Sequence, residues 1–214
     1  IVELLSKDNE ELKEQSWHFL HPMEKVEMLL PVKVGDYTDF YSSMEHARNV
    51  GTMFRDPNNA LLPNWKHIPV GYHGRASSII VSGQDIHRPC GQTMPLNADA
   101  PVYGPTARLD FELEMAFVIG QHTELGDTIS TGEAENYIFG LSLFNDWSAR
   151  DIQKWEYVPL GPFLGKNFAS TMAPWIVTLD ALEPFRVKGP EQDPPVLPYL
   201  QYEGDKNYNI HLSV

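Results

Sequence analysis

The sequence is short of cysteine, of positive charge and of long apolar runs. Its single cysteine, Cys90, excludes an internal disulfide and a cysteine-based zinc site, so nothing points to an oxidising compartment. There are 16 Lys and Arg against 29 Asp and Glu, and both halves of the chain are net acidic. Nucleic acid is therefore not expected as the main partner, since phosphate binding needs a basic face. No apolar stretch approaches the roughly 20 residues of a membrane span, and the charged start IVELLSKDNEELKEQ has no signal-peptide core. The expected compartment is the cytoplasm. The sequence contains neither G-x-x-x-x-G-K-[ST] nor G-x-G-x-x-G, which leaves nucleotide binding by those loops unsupported. It has no H-E-x-x-H, and Gly140-Leu-Ser142-Leu-Phe144 lacks the second glycine of a nucleophile elbow. Internal repeats and low-complexity tracts are absent as well.

What is present is an apolar fraction of 42%, enough in 214 residues for a packed core. Residues 1–30 read as an acidic, loosely amphipathic helical stretch interrupted by Pro22. From Val32 onward Gly, Pro, Asn and aromatic residues punctuate short apolar runs. Segments 77–83, 111–119 and 172–179 read as strands. Segments 42–54, 131–143 and 149–156 read as helices. Residues 184–198, with five prolines, read as a surface excursion. The start at Ile1 and the stop inside the alternating run 208–214 suggest a piece of a longer polypeptide.

Three segments set acids among aromatic or apolar neighbours: Asp36-Tyr-Thr-Asp39-Phe-Tyr41, Asp110-Phe-Glu112-Leu-Glu114-Met, and Phe144-Asn-Asp146-Trp147. On a strand, residues i and i+2 share a face, so Glu112 and Glu114 point together while Phe111, Leu113 and Met115 point the other way. If the apolar face is the core, the acidic face is solvent or a site. Adjacent carboxylates repel unless a cation lies between them, and all-oxygen ligands favour a hard divalent ion. Acids on the outer face of an antiparallel strand are also ordinary, and spacing alone leaves both readings open.

His46 stands at the head of a predicted helix, where an imidazole serves as a general base or merely as a capping or packed group. Arg150 and Gln153, three apart, share a helix face near Asp146. With Lys166 they form either an oxyanion-stabilising set or surface ion pairs. Gly71-Tyr72-His-Gly74 reads as a tight turn into a strand.

Taken together, blocks 36–55, 59–78, 109–120 and 144–168 resemble the fumarylacetoacetate hydrolase family, in the family's order and from about residue 30 to the chain end. The resemblance implies a β-rich α+β fold, a rolled mixed β structure. Residues 1–30 would be the linker and helical tail of an absent N-terminal domain, and 31–214 the first half of the catalytic domain. It implies Mg²⁺ and/or Ca²⁺ held by Asp39, Glu112, Glu114 and Asp146, with a second ion position at Lys166 and Ser170. There the family usually has Gly-Thr and this chain has Ala169-Ser170. It implies His46 as the base that activates water, and Arg150, Gln153 and Lys166 around the reacting carbonyl. Tyr41, Arg55, Tyr72, Gln153 and Tyr157 match substrate-touching positions. The implied reaction is hydrolysis of the carbon–carbon bond of 4-fumarylacetoacetate to fumarate and acetoacetate, the last step of tyrosine and phenylalanine catabolism, in a cytoplasmic homodimer. Alternatives are an acylpyruvate hydrolase, decarboxylase or isomerase on the same scaffold, or a metal-binding fragment without turnover.

Overall fold

The computed structural model describes residues 6–214. Its centre is a mixed five-stranded sheet. Strand β8 (Ile138–Asp146) runs through the middle, flanked on one side by β7 (Leu113–Ile119) and on the other by β10 (Ser170–Met172) and β11 (Val177–Thr178). Those three pairings are antiparallel, and β10 continues in parallel to β3 (Ile79–Val81). Four two-stranded ribbons surround the sheet. They pair β1 (Thr38–Phe40) with β2 (Gly71–His73), β4 (Cys90–Thr93) with β5 (Val102–Pro105), β6 (Leu109–Asp110) with β9 (Ser148–Ala149), and β12 (Arg186–Val187) with β13 (Asn207–Tyr208). The helices are short: α1 (Glu10–Glu14), α2 (Met44–Phe54), α3 (Arg150–Glu156), α4 (Leu164–Asn167) and α5 (Leu179–Leu182). The arrangement is α+β and β-rich, as expected. No helix among the described residues is long and apolar enough to cross a membrane.

The core gathers Ile79, Phe144 and Met172, with Leu30, Val32, Val34, Tyr37, Ala116, Val118 and Ile176 packed against them. Ala116 and Val118 share their face of β7 with Glu114. The carboxylate face of β7 is thus the inward one, while Phe111, Leu113, Phe117 and Ile119 are the exposed set. This inverts the premise that the apolar face is the core. The reason is electrostatic: buried cations wait on the inward face for the acids.

The helix expected over 131–143 does not form. A 3₁₀ turn at Ala134–Tyr137 leads straight into β8. Gly140, Ser142, Phe144 and Asp146 form the buried face of β8, but the opposite face carries Phe139 and Leu143, exposed yet apolar, so the sequence loses the alternation that marks a strand. A Cβ on Gly140 would fall on the Val177 carbonyl, so the glycine is what admits β11. The helical reading of 1–30 shrinks to α1 and two 3₁₀ turns, Ser16–His18 and Met23–Lys25, and positions 1–5 lie outside the described residues. Trp17 and Leu20 are exposed there, so no packed face sustains a longer helix. The strand expected over 77–83 narrows to β3 after a 3₁₀ turn at Ala76–Ser78. That over 172–179 divides into β10 and β11 around Pro174, which cannot donate to a ladder. The helices expected over 42–54 and 149–156 are α2 and α3.

Candidate metal centre and its cavity

Short, unrelated elements bring four carboxylates together. Asp39 comes from β1, Glu112 from the step between β6 and β7, Glu114 from β7 and Asp146 from the end of β8. One oxygen from each lies within 4.8 Å of the others. The β1–β2 register sets Asp39 opposite Tyr72. Two glycines make this ribbon possible: a Cβ on Gly71 would strike the Asp39 carbonyl, and one on Gly74 would enter the Tyr37 ring.

Two of the carboxylates are matched by buried cations. Lys166 on α4 donates to Glu112 Oε2 at 2.6 Å and to Asp146 Oδ2 at 2.7 Å. Burial pulls its ammonium down, but Asp146 and Glu112 outweigh that and hold it above the ordinary lysine range. Arg150 on α3 donates through one NH group to Glu112 Oε1 at 2.6 Å and through Nε to Asp110 Oδ2 at 2.8 Å. His46 Nε2 stands 3.4 Å from Glu112 Oε1. Burial raises Glu112, yet the His46 hydrogen bond and the charges of Lys166 and Arg150 prevail, and its carboxyl sits well below the carboxylate range. Asp146 is fully buried and accepts from Tyr72 Oη at 2.5 Å. Burial, then the charges of Asp146 and Asp39, push the Tyr72 hydroxyl upward, so it is a donor there.

Asp39 and Glu114 are different. Neither has an ion pair among the described residues, and Asp39 Oδ2 is buried without a hydrogen-bond partner. Burial and the neighbouring acids push Asp39 up to about 7 and Glu114 up to about 9. Lys166 and Arg150 are committed to Glu112, Asp146 and Asp110, so Asp39 and Glu114 lack a counter-ion among the described residues and their ionisation is held back. An orphaned buried oxygen beside two carboxyls without a counter-ion fits a hard divalent cation. The hydroxyl of Ser170 lies 3.4 Å from Asp146 Oδ1 and also 3.4 Å from the Tyr37 hydroxyl. Lys166 suits the second ion position poorly as a side-chain ligand, because a charged ammonium has no lone pair.

In front of the cluster lies a cavity of about 290 Å³. Asp39, Tyr41, His46, Arg55, Tyr72, Glu112, Glu114, Gln153, Tyr157 and Lys166 all line it. The hydroxyl of Tyr41 donates to the Ala47 carbonyl at 2.9 Å, and its ring meets His46 edge-on at 5.5 Å. Ser43 caps α2 by accepting the His46 N–H, which fixes where the imidazole emerges. Arg55 holds the Ala60 carbonyl with two donors, at 3.1 and 2.6 Å. Tyr157 packs its ring 5.3 Å from that of Phe54. A Cβ on Gly165 would come within 2.8 Å of the Gln153 backbone, so the glycine lets α4 lie close to α3 and carries Lys166 to the acids.

Two placements were not evident from residue types. Arg150 is buried behind the cavity wall rather than on it, committed to Asp110, Glu112 and Gln153. Asp110 also joins this network, and its signal was the alternation of acids at 110, 112 and 114.

The family model described as "Fumarylacetoacetate (FAA) hydrolase C-terminal" matches residues 36–208. A fumarylacetoacetase from Arabidopsis thaliana is 58% identical over 212 residues, covering 99% of this chain and 50% of that protein. The Bos taurus fumarylacetoacetase is 61% identical over 187 residues, covering 87% of this chain and 45% of that protein. The chain thus spans about half the length of the curated relatives it matches. A crystal structure of Cg1458 with inhibitor superposes with a TM-score of 0.52 at 16% identity, over 76% of this chain and 51% of that one, a likeness of fold alone. The extent of the family match and the identity to these relatives establish that the chain belongs to the fumarylacetoacetate hydrolase family, in its C-terminal portion.

Proposed function

We propose that the protein acts in the hydrolysis of the carbon–carbon bond of 4-fumarylacetoacetate, yielding fumarate and acetoacetate, with Mg²⁺ or Ca²⁺ at the four-carboxylate centre. The observation that carries this reading is the meeting of Asp39, Glu112, Glu114 and the fully buried Asp146 behind a cavity that the first three line together with His46. The identity to fumarylacetoacetases supports the choice of substrate.

When bound, a divalent cation supplies Lewis acidity toward the oxygens of a diketo acid. The chain's own residues do the rest. His46 takes a proton from water at the cavity wall. Gln153 and Lys166 present hydrogen-bond donors to the oxygen that gains charge as water attacks. Arg55 and the hydroxyls of Tyr41, Tyr72 and Tyr157 orient the substrate and its carboxylates. The Tyr72 hydroxyl, bonded to Asp146, would turn toward substrate on binding. The second ion position in this reading lies at Asp146 and Ser170, with the Lys166 ammonium as its neighbour and not as a ligand.

The proposal extends to a cytoplasmic homodimer and to tyrosine and phenylalanine catabolism, on the family resemblance. It also assigns 31–214 to the first half of the catalytic domain and 1–30 to the segment leading into it. Residues Leu30, Val32 and Val34 already pack on the core, and the family match opens at residue 36.

The test is to supply 4-fumarylacetoacetate with Mg²⁺ or Ca²⁺ and measure fumarate and acetoacetate in equal amounts. Cation-dependent formation of both supports the reading. Cleavage of acylpyruvates in preference to fumarylacetoacetate, or undiminished turnover after complete chelation, would contradict it.

A further inference from the structure

Asp110 touches no part of the cavity, yet it is bound tightly into the layer behind it. Strands β6 and β9 pair Asp110 with Ser148 and Leu109 with Ala149. The zip continues into α3, where Arg150 N–H donates to the Arg108 carbonyl at 2.9 Å and Asp151 accepts from the Thr106 hydroxyl and from Ala107 N–H. Both carboxylate oxygens of Asp110 are used: Oδ1 accepts from Phe111 N–H at 2.9 Å, and Oδ2 from Arg150 Nε at 2.8 Å. The planar Arg150 fork is thereby fixed on one edge. From that position its NH1 donates to Glu112 Oε1 at 2.6 Å and to Gln153 Oε1 at 3.2 Å.

The second of those contacts matters for the chemistry. A guanidinium can only donate. It therefore accepts only the oxygen end of the Gln153 amide, and a flipped amide would set NH₂ against N–H. With Oε1 turned to Arg150, the NH₂ end is the one available to the cavity that Gln153 lines. A flipped Gln153 would offer a carbonyl lone pair to a developing oxyanion, which is repulsive.

We propose that Asp110 is a positioning residue which, through Arg150, holds the Gln153 amide with its donor end toward the reacting oxygen. This rests on the proposed hydrolase reading of the cavity.

The test is a double-mutant cycle on kcat. Asp110→Ala is expected to lower kcat about 10- to 100-fold with little change in KM, the range for impairing one oxyanion donor. In a Gln153→Ala background the same substitution should change kcat by less than about twofold, because the group it orients is gone. Asp110→Asn, which keeps an acceptor for Arg150 Nε, should recover most of the lost kcat. Should Asp110→Ala fail to fold, Arg150→Lys carries the test: it keeps the charge but not the fork, and should show the same drop and the same disappearance of that drop without Gln153. Equal fold losses in both backgrounds, or an unchanged kcat, would overturn the inference. So would a fall in divalent-cation affinity of about tenfold or more on Asp110→Ala, since Asp110 would then act on the ligand Glu112. Failure of the hydrolase reading shows separately, as no turnover of fumarylacetoacetate by the unmodified protein, and overturns this inference with it.

Discussion

Replacing Lys166 with methionine removes the ammonium that bridges Glu112 Oε2 and Asp146 Oδ2 while keeping most of the side-chain volume. Lys166 is 4% exposed, Asp146 fully buried and Glu112 8% exposed, so water cannot replace the lost charge. Removing one partner of a buried ion pair typically costs about 3–5 kcal/mol. For a domain of this size each kcal/mol lowers Tm by about 2–4 °C, so a fall of roughly 6–20 °C is expected. The loss must depend on pH. Without Lys166 a charge that holds Glu112 low is lost while its burial remains, so the folded state keeps less of its preference for the ionised form and the deficit grows as pH rises. Thermal melts at pH 5 and pH 8 check this, with the larger deficit at pH 8. A saturating divalent cation, bound by the same carboxylates, should recover part of it. A Tm unchanged within about 2 °C, or a deficit equal at both pH values, would refute the reasoning.

Three further outcomes follow from the same geometry. His46→Ala should cut kcat by about 10²- to 10⁴-fold, the usual worth of a general base, while cation affinity measured by calorimetry stays near that of the unmodified protein. Burial holds Asp39 and Glu114 up to about 7 and about 9, against unfolded values near 4, so the cation-free protein should lose stability as pH rises from about 4 to about 9. Glu112 has the opposite sign: held low, it contributes stability above about pH 4 that is lost as pH falls further. The Tm gain on adding Mg²⁺ or Ca²⁺ should accordingly grow between pH 6 and pH 9. Gly165→Ala should destabilise by about 1–3 kcal/mol, because its Cβ would crowd the Gln153 backbone, and denaturant melts measure that directly.

The sequence revealed the parts of the site more readily than the orientation of the sheet that carries it. The i, i+2 spacing of Glu112 and Glu114 correctly put both carboxylates on one face. Alternation is symmetric, however, and does not say which face is inside. That is decided by Lys166 and Arg150, 54 and 38 residues away along the chain from Glu112. Helix α2 was legible because Ser43 caps it and Ala47, Val50 and Gly51 form its buried stripe. Strand β8 was not, because its outward positions Phe139 and Leu143 are apolar although exposed, and a mainly apolar run carries no alternating signature. Arg150 read as a wall residue from its helix position alone. Only the pairing of β6 with β9, which brings Asp110 to its Nε, sets it one layer back.

The central claim is that Asp39, Glu112, Glu114 and Asp146 hold one divalent cation. Isothermal titration of Mg²⁺ or Ca²⁺ into the metal-free protein, beside Asp39→Asn and Glu114→Gln, tests it most directly. The account predicts saturable binding of one ion at the cluster, weakened by about tenfold or more in each variant. Binding of equal strength in all three proteins, or no saturable binding by the unmodified one, would contradict it.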